Sequence, residues 1–219
     1  RMSKSLPGVV FPINSVADAA PGKRITVDFT VKDKSGKPIL PVDMARLNFR
    51  LAGPSTDYRF QMSDDARKAE GVNGRYFWTF TSPLPSDAKG SLALSLEGRT
   101  EIKLLPGTKK EILVRDSAQN KTMFFSVDGT KMQPRRQIVS TAKCNACHDS
   151  LAMHGDARNT VENCAVCHNP TLTAGTGAAA VSANFPVMIH RIHRGKELER
   201  KYAIGNTAMF ITRDLPVAL

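Results

Sequence analysis

Cys144-Asn145-Ala146-Cys147-His148 and, sixteen residues further on, Cys164-Ala165-Val166-Cys167-His168 decide how this chain is to be read. Both segments are C-x-x-C-H, the attachment pattern of c-type haem. The spacing has a geometric reason. Cysteines at i and i+3 lie on one side of a helical turn. Their sulfurs can therefore form thioethers with the two vinyl groups on one edge of a porphyrin, and the histidine that follows is carried over the ring face, where it ligates iron. One such match is moderately specific; two with identical spacing and a trailing histidine are strong evidence. The sixteen intervening residues keep a rival open, because C-x2-C-x16-C-x2-C also fits a tetrathiolate zinc ribbon holding Zn²⁺ through Cys144, Cys147, Cys164 and Cys167. That arrangement leaves His148 and His168 without a role. Two disulfides or a redox dithiol are weaker alternatives.

The remaining histidines extend the pattern. The chain has five, and all lie between positions 148 and 193. His148 and His168 are the expected proximal iron ligands. His154, His190 and His193 are the candidate distal ligands, with Met153 and Met188 as rival sixth ligands. Bis-His ligation fills both axial positions, so it favours electron transfer over binding at iron, and it gives a lower potential than Met/His ligation. His190 and His193, at i and i+3, share a helix face and could serve two neighbouring haems. Two haems need two distal ligands and three candidates exist, so one histidine is structural or serves a haem outside these residues.

The chain has 219 residues with 31 Lys+Arg and 20 Asp+Glu. That length allows one or two domains with a real core. Four cysteines are too few for a disulfide scaffold of this size. No apolar stretch reaches about 18 residues, so no membrane-spanning helix is expected. The net charge is +8 over residues 1–135 and +3 over 136–219, with no basic tail. It forms no basic stripe and belongs to no nucleic-acid module, so no nucleic-acid partner is expected. Haem propionates would offset part of it. Arg1 to Pro7 lacks the apolar core of a signal peptide, which leaves export of a processed chain open, and both ends read as the ends of a fragment.

Ahead of the motifs the pattern has period two. Ile25, Val27, Phe29 and Val31 alternate with polar residues, as do Leu47, Phe49 and Leu51, then Tyr76, Trp78 and Phe80, then Leu92, Leu94 and Leu96. A last strand is expected at Met123-Phe124-Phe125-Ser126-Val127. Asp33-Lys34-Ser35-Gly36 is a turn, and Pro/Gly clusters separate the other runs. Short strands at this spacing predict an antiparallel β domain, a Greek-key sandwich or barrel, over residues 1–135. Residues 1–20 read as an entry segment. From 136 to 219 alternation stops, and an irregular, mostly α and coil haem domain, truncated at its end, is expected. Thr173 to Ala180 reads as a small-residue connector. A helix is predicted to start at Asn184-Phe185-Pro186 and to stop at Gly195. The region has few large apolar residues and needs a cofactor or metal to fold around.

Around the motifs, Leu151, His154-Gly155, Arg158, Asn169-Pro170, Phe185 and Met188-Ile189-His190-Arg191-Ile192-His193 complete a pattern that resembles the outer-membrane multihaem cytochromes of the OmcA/MtrC type from metal-respiring bacteria. The motif match covers residues 143–195, and the β domain agrees in type and order. The resemblance implies β domains alternating with haem-packed domains. It implies an exported protein, at the outer-membrane surface or extracellular, with the periplasm as the alternative. It implies an electron carrier or, if an enzyme, a metal-reducing oxidoreductase, in anaerobic respiration. Its partners would be other multihaem cytochromes or an outer-membrane conduit, and its acceptors metal oxides or soluble shuttles. Family members carry many C-x-x-C-H motifs and this chain has two. It therefore reads as a fragment or a short dihaem relative, with two haem c groups and a third supplied by a missing segment or a neighbouring chain.

Overall fold

The computed structural model describes residues 6–177, 180–199, 202–204 and 207–208. The chain divides into two compact units, 1–166 and 167–219. The expected division fell after residue 135.

The first unit is built on two antiparallel sheets. One has the order β1 (Ile13–Ala17), β2 (Thr26–Thr30), β6 (Arg75–Thr79), β5 (Glu70–Val72). The other has the order β4 (Phe60–Asp65), β3 (Arg46–Gly53), β7 (Ser91–Leu104), β8 (Ile112–Ser117), with β9 (Lys121–Ser126) also on β7. The length of β7 makes this possible: Ser91–Leu96 pairs with β9 and Arg99–Leu104 with β8.

The alternating apolar residues face inward and form one core shared by both sheets. It includes Phe11, Val27, Phe29, Leu47, Phe49, Leu51, Phe80, Leu92, Leu94 and Leu96. Phe29 of β2 meets Phe49 of β3 edge to face at a centroid separation of 5.1 Å, a favoured aromatic geometry. The five predicted runs appear as β2, β3, β6, β7 and β9. The Asp33 turn is present: Asp33 Oδ1 accepts from the backbone N–H groups of Ser35 and Lys37, and Gly36 takes φ of 90°.

The entry segment is more ordered than the sequence indicated. Val9, Phe11 and Ile13 are buried, and Ile13–Ala17 forms β1 against β2. A register shift between Ile13 and Ser15 breaks the alternation there, which hides the strand from a period-two reading.

After β9 the chain carries α1 (Thr141–His148) and α2 (Val161–Cys167), still joined to the first unit through Val166. In the second unit, β10 (Thr173–Ala174) pairs with β11 (Val181–Ser182), and α3 spans Phe185–Arg194. The connector at 173–180 is therefore closed by a two-residue ladder, reinforced by Ala183 N–H donating to the Leu172 carbonyl at 2.9 Å. Helix α3 has Asn184 at its N-cap, without a side-chain cap hydrogen bond, Pro186 in its first turn and Gly195 at its C-cap, after which the chain winds on as a 3-10 turn over Gly195–Glu197. Two residues each of β12 (Ala203–Ile204) and β13 (Thr207–Ala208) complete the described chain. Among the described residues no helix is long and apolar enough to cross a membrane.

Candidate functional site

Each C-x-x-C-H segment lies on a short helix and its histidine falls at the helix end. Helix α1 carries Cys144 and Cys147 and ends on His148; none of its eight residues is buried. Cys147 is exposed, while Cys144, Cys164 and Cys167 are half-buried. His148, His154, His190 and His193 are exposed, and His168 is half-buried.

Local hydrogen bonds set the helices. Thr160 caps α2: its Oγ1 accepts the Asn163 N–H at 3.4 Å and its carbonyl accepts the Cys164 N–H at 3.0 Å. The first N–H of α2, on Val161, donates to Thr141 Oγ1 on the first residue of α1 at 3.0 Å. The two motif helices are thereby tied at their starts. Within the first motif, Asn145 Oδ1 accepts the Leu151 N–H at 2.7 Å and closes the chain reversal after His148.

His154 sits in a tight loop. Met153 and Arg158 exchange backbone hydrogen bonds of 2.8 and 3.1 Å across it. His154, Gly155 and Asp156 take φ of 52°, 70° and 69°, and Arg99 Nη1 of β7 donates to the Gly155 carbonyl at 2.8 Å. Left-handed backbone at two non-glycine residues is costly, so this loop is held by its surroundings.

In the second unit His168 is fixed from two sides. Its Nδ1 lies 2.9 Å from the Ala183 carbonyl, and its own carbonyl accepts the Phe185 N–H at 2.8 Å. A carbonyl can only accept, so Nδ1 carries the proton and the ligating lone pair is on Nε2. His193 is arranged alike, with Nδ1 2.8 Å from the Ile189 carbonyl one turn back. A metal-bound histidine has this outer hydrogen bond as a rule. The donor set therefore fits haem iron: paired thiols at helical spacing, and imidazoles whose Nε2 is the basic nitrogen. Met188 is buried and belongs to the packing of α3, whereas Met153 is exposed. Among the described residues no three or more His, Cys, Asp or Glu side chains gather as they would around a metal ion, so the zinc ribbon has no support.

The most buried charge near the motifs is one the sequence did not mark. Glu97 of β7 is fully buried. Its Oε1 accepts from Arg46 Nη2 at 2.7 Å and from Arg50 Nη2 at 3.3 Å. Its Oε2 accepts from Arg158 Nε at 2.7 Å and from Asn163 Nδ2 at 3.2 Å. Burial pushes this carboxyl's pKa up, but the Arg158 hydrogen bond and the charges of Arg158, Arg50 and Arg46 outweigh it and hold the pKa at about 2. Asn163 directly precedes Cys164, so the cluster joins the sheet to the second motif helix. In sequence Glu97 looks like an ordinary outward position following the inward Leu92, Leu94 and Leu96, and no local signal could have found it.

Residues 136–213 match the family described as outer membrane cytochrome MtrC/MtrF-like, domains II/IV. The multiheme cytochrome MtrC of Shewanella baltica (strain OS185) is 29% identical over 195 residues, covering 77% of this chain and 28% of that protein. The crystal structure of MtrC from Shewanella baltica OS185 superposes with a TM-score of 0.55 at 22% identity, over 91% of this chain and 36% of that one. The crystal structure of the outer membrane decaheme cytochrome OmcA superposes with a TM-score of 0.59 at 19% identity, over 88% of this chain and 34% of that one. At such identities the two superpositions establish the fold. The chain spans about a third of the length of both solved structures.

Proposed function

We propose that this chain, which is similar to the outer-membrane cytochromes of the MtrC/OmcA type, carries electrons through two covalent c-type haems, one on each C-x-x-C-H segment. The observation that carries the reading is the His168 Nδ1 hydrogen bond to the Ala183 carbonyl, which presents Nε2 as the ligating atom of the second motif. A haem held here supplies reversible one-electron Fe(III)/Fe(II) chemistry.

The chain's own part is anchoring, ligation and orientation. Cys144 and Cys147 hold one ring edge and Cys164 and Cys167 the other haem. His148 and His168 would be the first imidazole ligand of each haem, and the second would be drawn from His154, His190 and His193. Iron held by two imidazoles would supply electron exchange rather than substrate binding. The Thr160 cap and the Thr141–Val161 bond would hold the anchors still, so that little rearrangement accompanies a change of charge.

The family supports an exported location at the outer-membrane surface. It supports electron exchange with other multihaem cytochromes of an outer-membrane conduit and with extracellular acceptors such as metal oxides or soluble shuttles. Intact-mass spectrometry with visible spectroscopy tests the reading. The expected result is a mass excess of two haems that resists acid-acetone extraction, with sharp low-spin bands, and the loss of one haem in Cys164→Ala/Cys167→Ala. A colourless chain of bare sequence mass, expressed with a haem-attachment system, would refute it.

A further inference from the structure

The cluster around Glu97 holds three guanidinium groups and one carboxylate, leaving two net positive charges on a sheet face. The side chains of Arg46, Arg50 and Arg158 are 25%, 19% and 13% exposed, and that of Glu97 is 0% exposed. Such a cluster is an expensive way to fasten a helix to a sheet, since apolar contacts of equal volume would do as well or better. Its charge is also poorly screened by salt, because it is largely out of water. It reaches the motif helix through Asn163, whose Nδ2 bonds Glu97 and whose Oδ1, also buried, has no hydrogen-bond partner among the described residues. The next residue is Cys164, an anchor of the second haem in the reading above.

Resting on that reading, we propose that Glu97 with Arg46, Arg50 and Arg158 sets both the position and the potential of the second haem. The cluster fixes the first turn of α2 through Asn163, and it keeps a permanent positive charge close to the Cys164 anchor. A fixed positive charge near the iron favours the reduced form, whose charge is lower, and raises the potential. Glu97 and the arginines act through Asn163 and through their charge, so they are positioning residues.

The test uses the haem-loaded full chain, with haem number from intact mass and midpoints from a spectroscopic redox titration. Arg50 is the residue to vary first, because it reaches Glu97 Oε1 only at 3.3 and 3.4 Å. In Arg50→Gln two haems should remain, and one midpoint should fall, with a severalfold drop in the reduced-to-oxidised ratio of that haem at the wild-type midpoint. Arg50→Lys, which keeps the charge without the fork, should return it to wild type. Glu97→Gln should move the same midpoint upward. If Glu97→Gln does not accumulate, the Arg50 pair decides alone. Two wild-type midpoints in Arg50→Gln, or equal shifts in Arg50→Gln and Arg50→Lys, would overturn the proposal while leaving the haem reading intact. A wild-type mass without haem would overturn the haem reading first.

Discussion

Asn120 and Asn159 bond each other's backbone in both directions. The Asn120 N–H donates to Asn159 Oδ1 at 2.9 Å, and the Asn159 N–H donates to Asn120 Oδ1 at 2.7 Å. Each side-chain amide then donates once more, Asn120 Nδ2 to the Ala157 carbonyl at 2.7 Å and Asn159 Nδ2 to the Ala118 carbonyl at 2.8 Å. Both residues are buried. The turn before β9 and the residues entering α2 thus satisfy each other's polar groups where neither has a sheet ladder to use, and four hydrogen bonds tie down the segment leading to Cys164.

Asn159→Ala should therefore be costly. It strands the Asn120 N–H and the Ala118 carbonyl in a buried place, at about 1–3 kcal/mol for each orphaned group. Chemical denaturation should show a lower midpoint at unchanged slope. Asn159→Asp keeps the acceptor for Asn120 but sets a carboxylate oxygen against the Ala118 carbonyl in a buried place, and should lose at least as much as Asn159→Ala.

Acid should weaken the fold through Glu97. Its folded pKa of about 2 lies below its ordinary value of 4.5. A carboxyl depressed in this way contributes stability that is complete above about pH 4.5 and disappears as pH falls toward 2. The linked contribution is on the order of 3 kcal/mol. Other depressed carboxyls, such as Asp28 hydrogen-bonded by Arg75, also lose their contribution as the solution is acidified. The informative quantity is the difference between wild type and Glu97→Gln: their stabilities should converge as pH is lowered through this window. A constant gap down to pH 2 would show that Glu97 is not held ionised by its arginines.

The sequence disclosed those parts of the molecule where one physical signal dominates. Val27, Phe29 and their neighbours announced β2 because one face is buried and the other is not. Asn184, Pro186 and Gly195 announced α3 because capping is local chemistry. The C-x-x-C-H segments stood out because their residue types recur at a fixed spacing, and each falls on a short helix. Strand β8 was illegible for the opposite reason: Ile112 and Leu113 are exposed at 56% and 58%, so its apolar pattern faces no core, and only pairing with the far half of β7 makes it a strand. Strand β4 is similar, with Phe60 and Met62 only half-buried. Glu97, Asn120 and Asn159 were hidden because their roles depend on partners 37 or more residues away, and a polar residue that ends up buried looks in sequence like one that does not.

Gly98, next to Glu97 on β7, tests how tightly β3 and β7 are drawn together. A Cβ there would lie 2.7 Å from the Arg46 carbonyl oxygen, which is backbone and cannot swing aside. Gly98→Ala should cost about 1–3 kcal/mol through overpacking. It should also disturb the Arg46–Glu97 pair, so the loss measured by denaturation should be smaller in a Glu97→Gln background.

His154→Asn separates backbone cost from ligand role. His154 occupies left-handed backbone, which Asn tolerates better than most residues. As a purely structural change it should be neutral or stabilise by about 0.5 kcal/mol. As the loss of a distal ligand it should leave one haem five-coordinate, converting part of the low-spin spectrum to high-spin with the haem number unchanged. The helix residues His190 and His193 offer the control, because Asn at either site brings no backbone relief and costs a few tenths of a kcal/mol or less in propensity. Of the three single variants, two should turn high-spin and one should not, since two haems take two distal ligands. A low-spin His154→Asn protein assigns both distal positions to α3 and leaves the His154 loop, with its backbone held by Arg99 and the Met153–Arg158 bridge, as the histidine available to a haem beyond these residues.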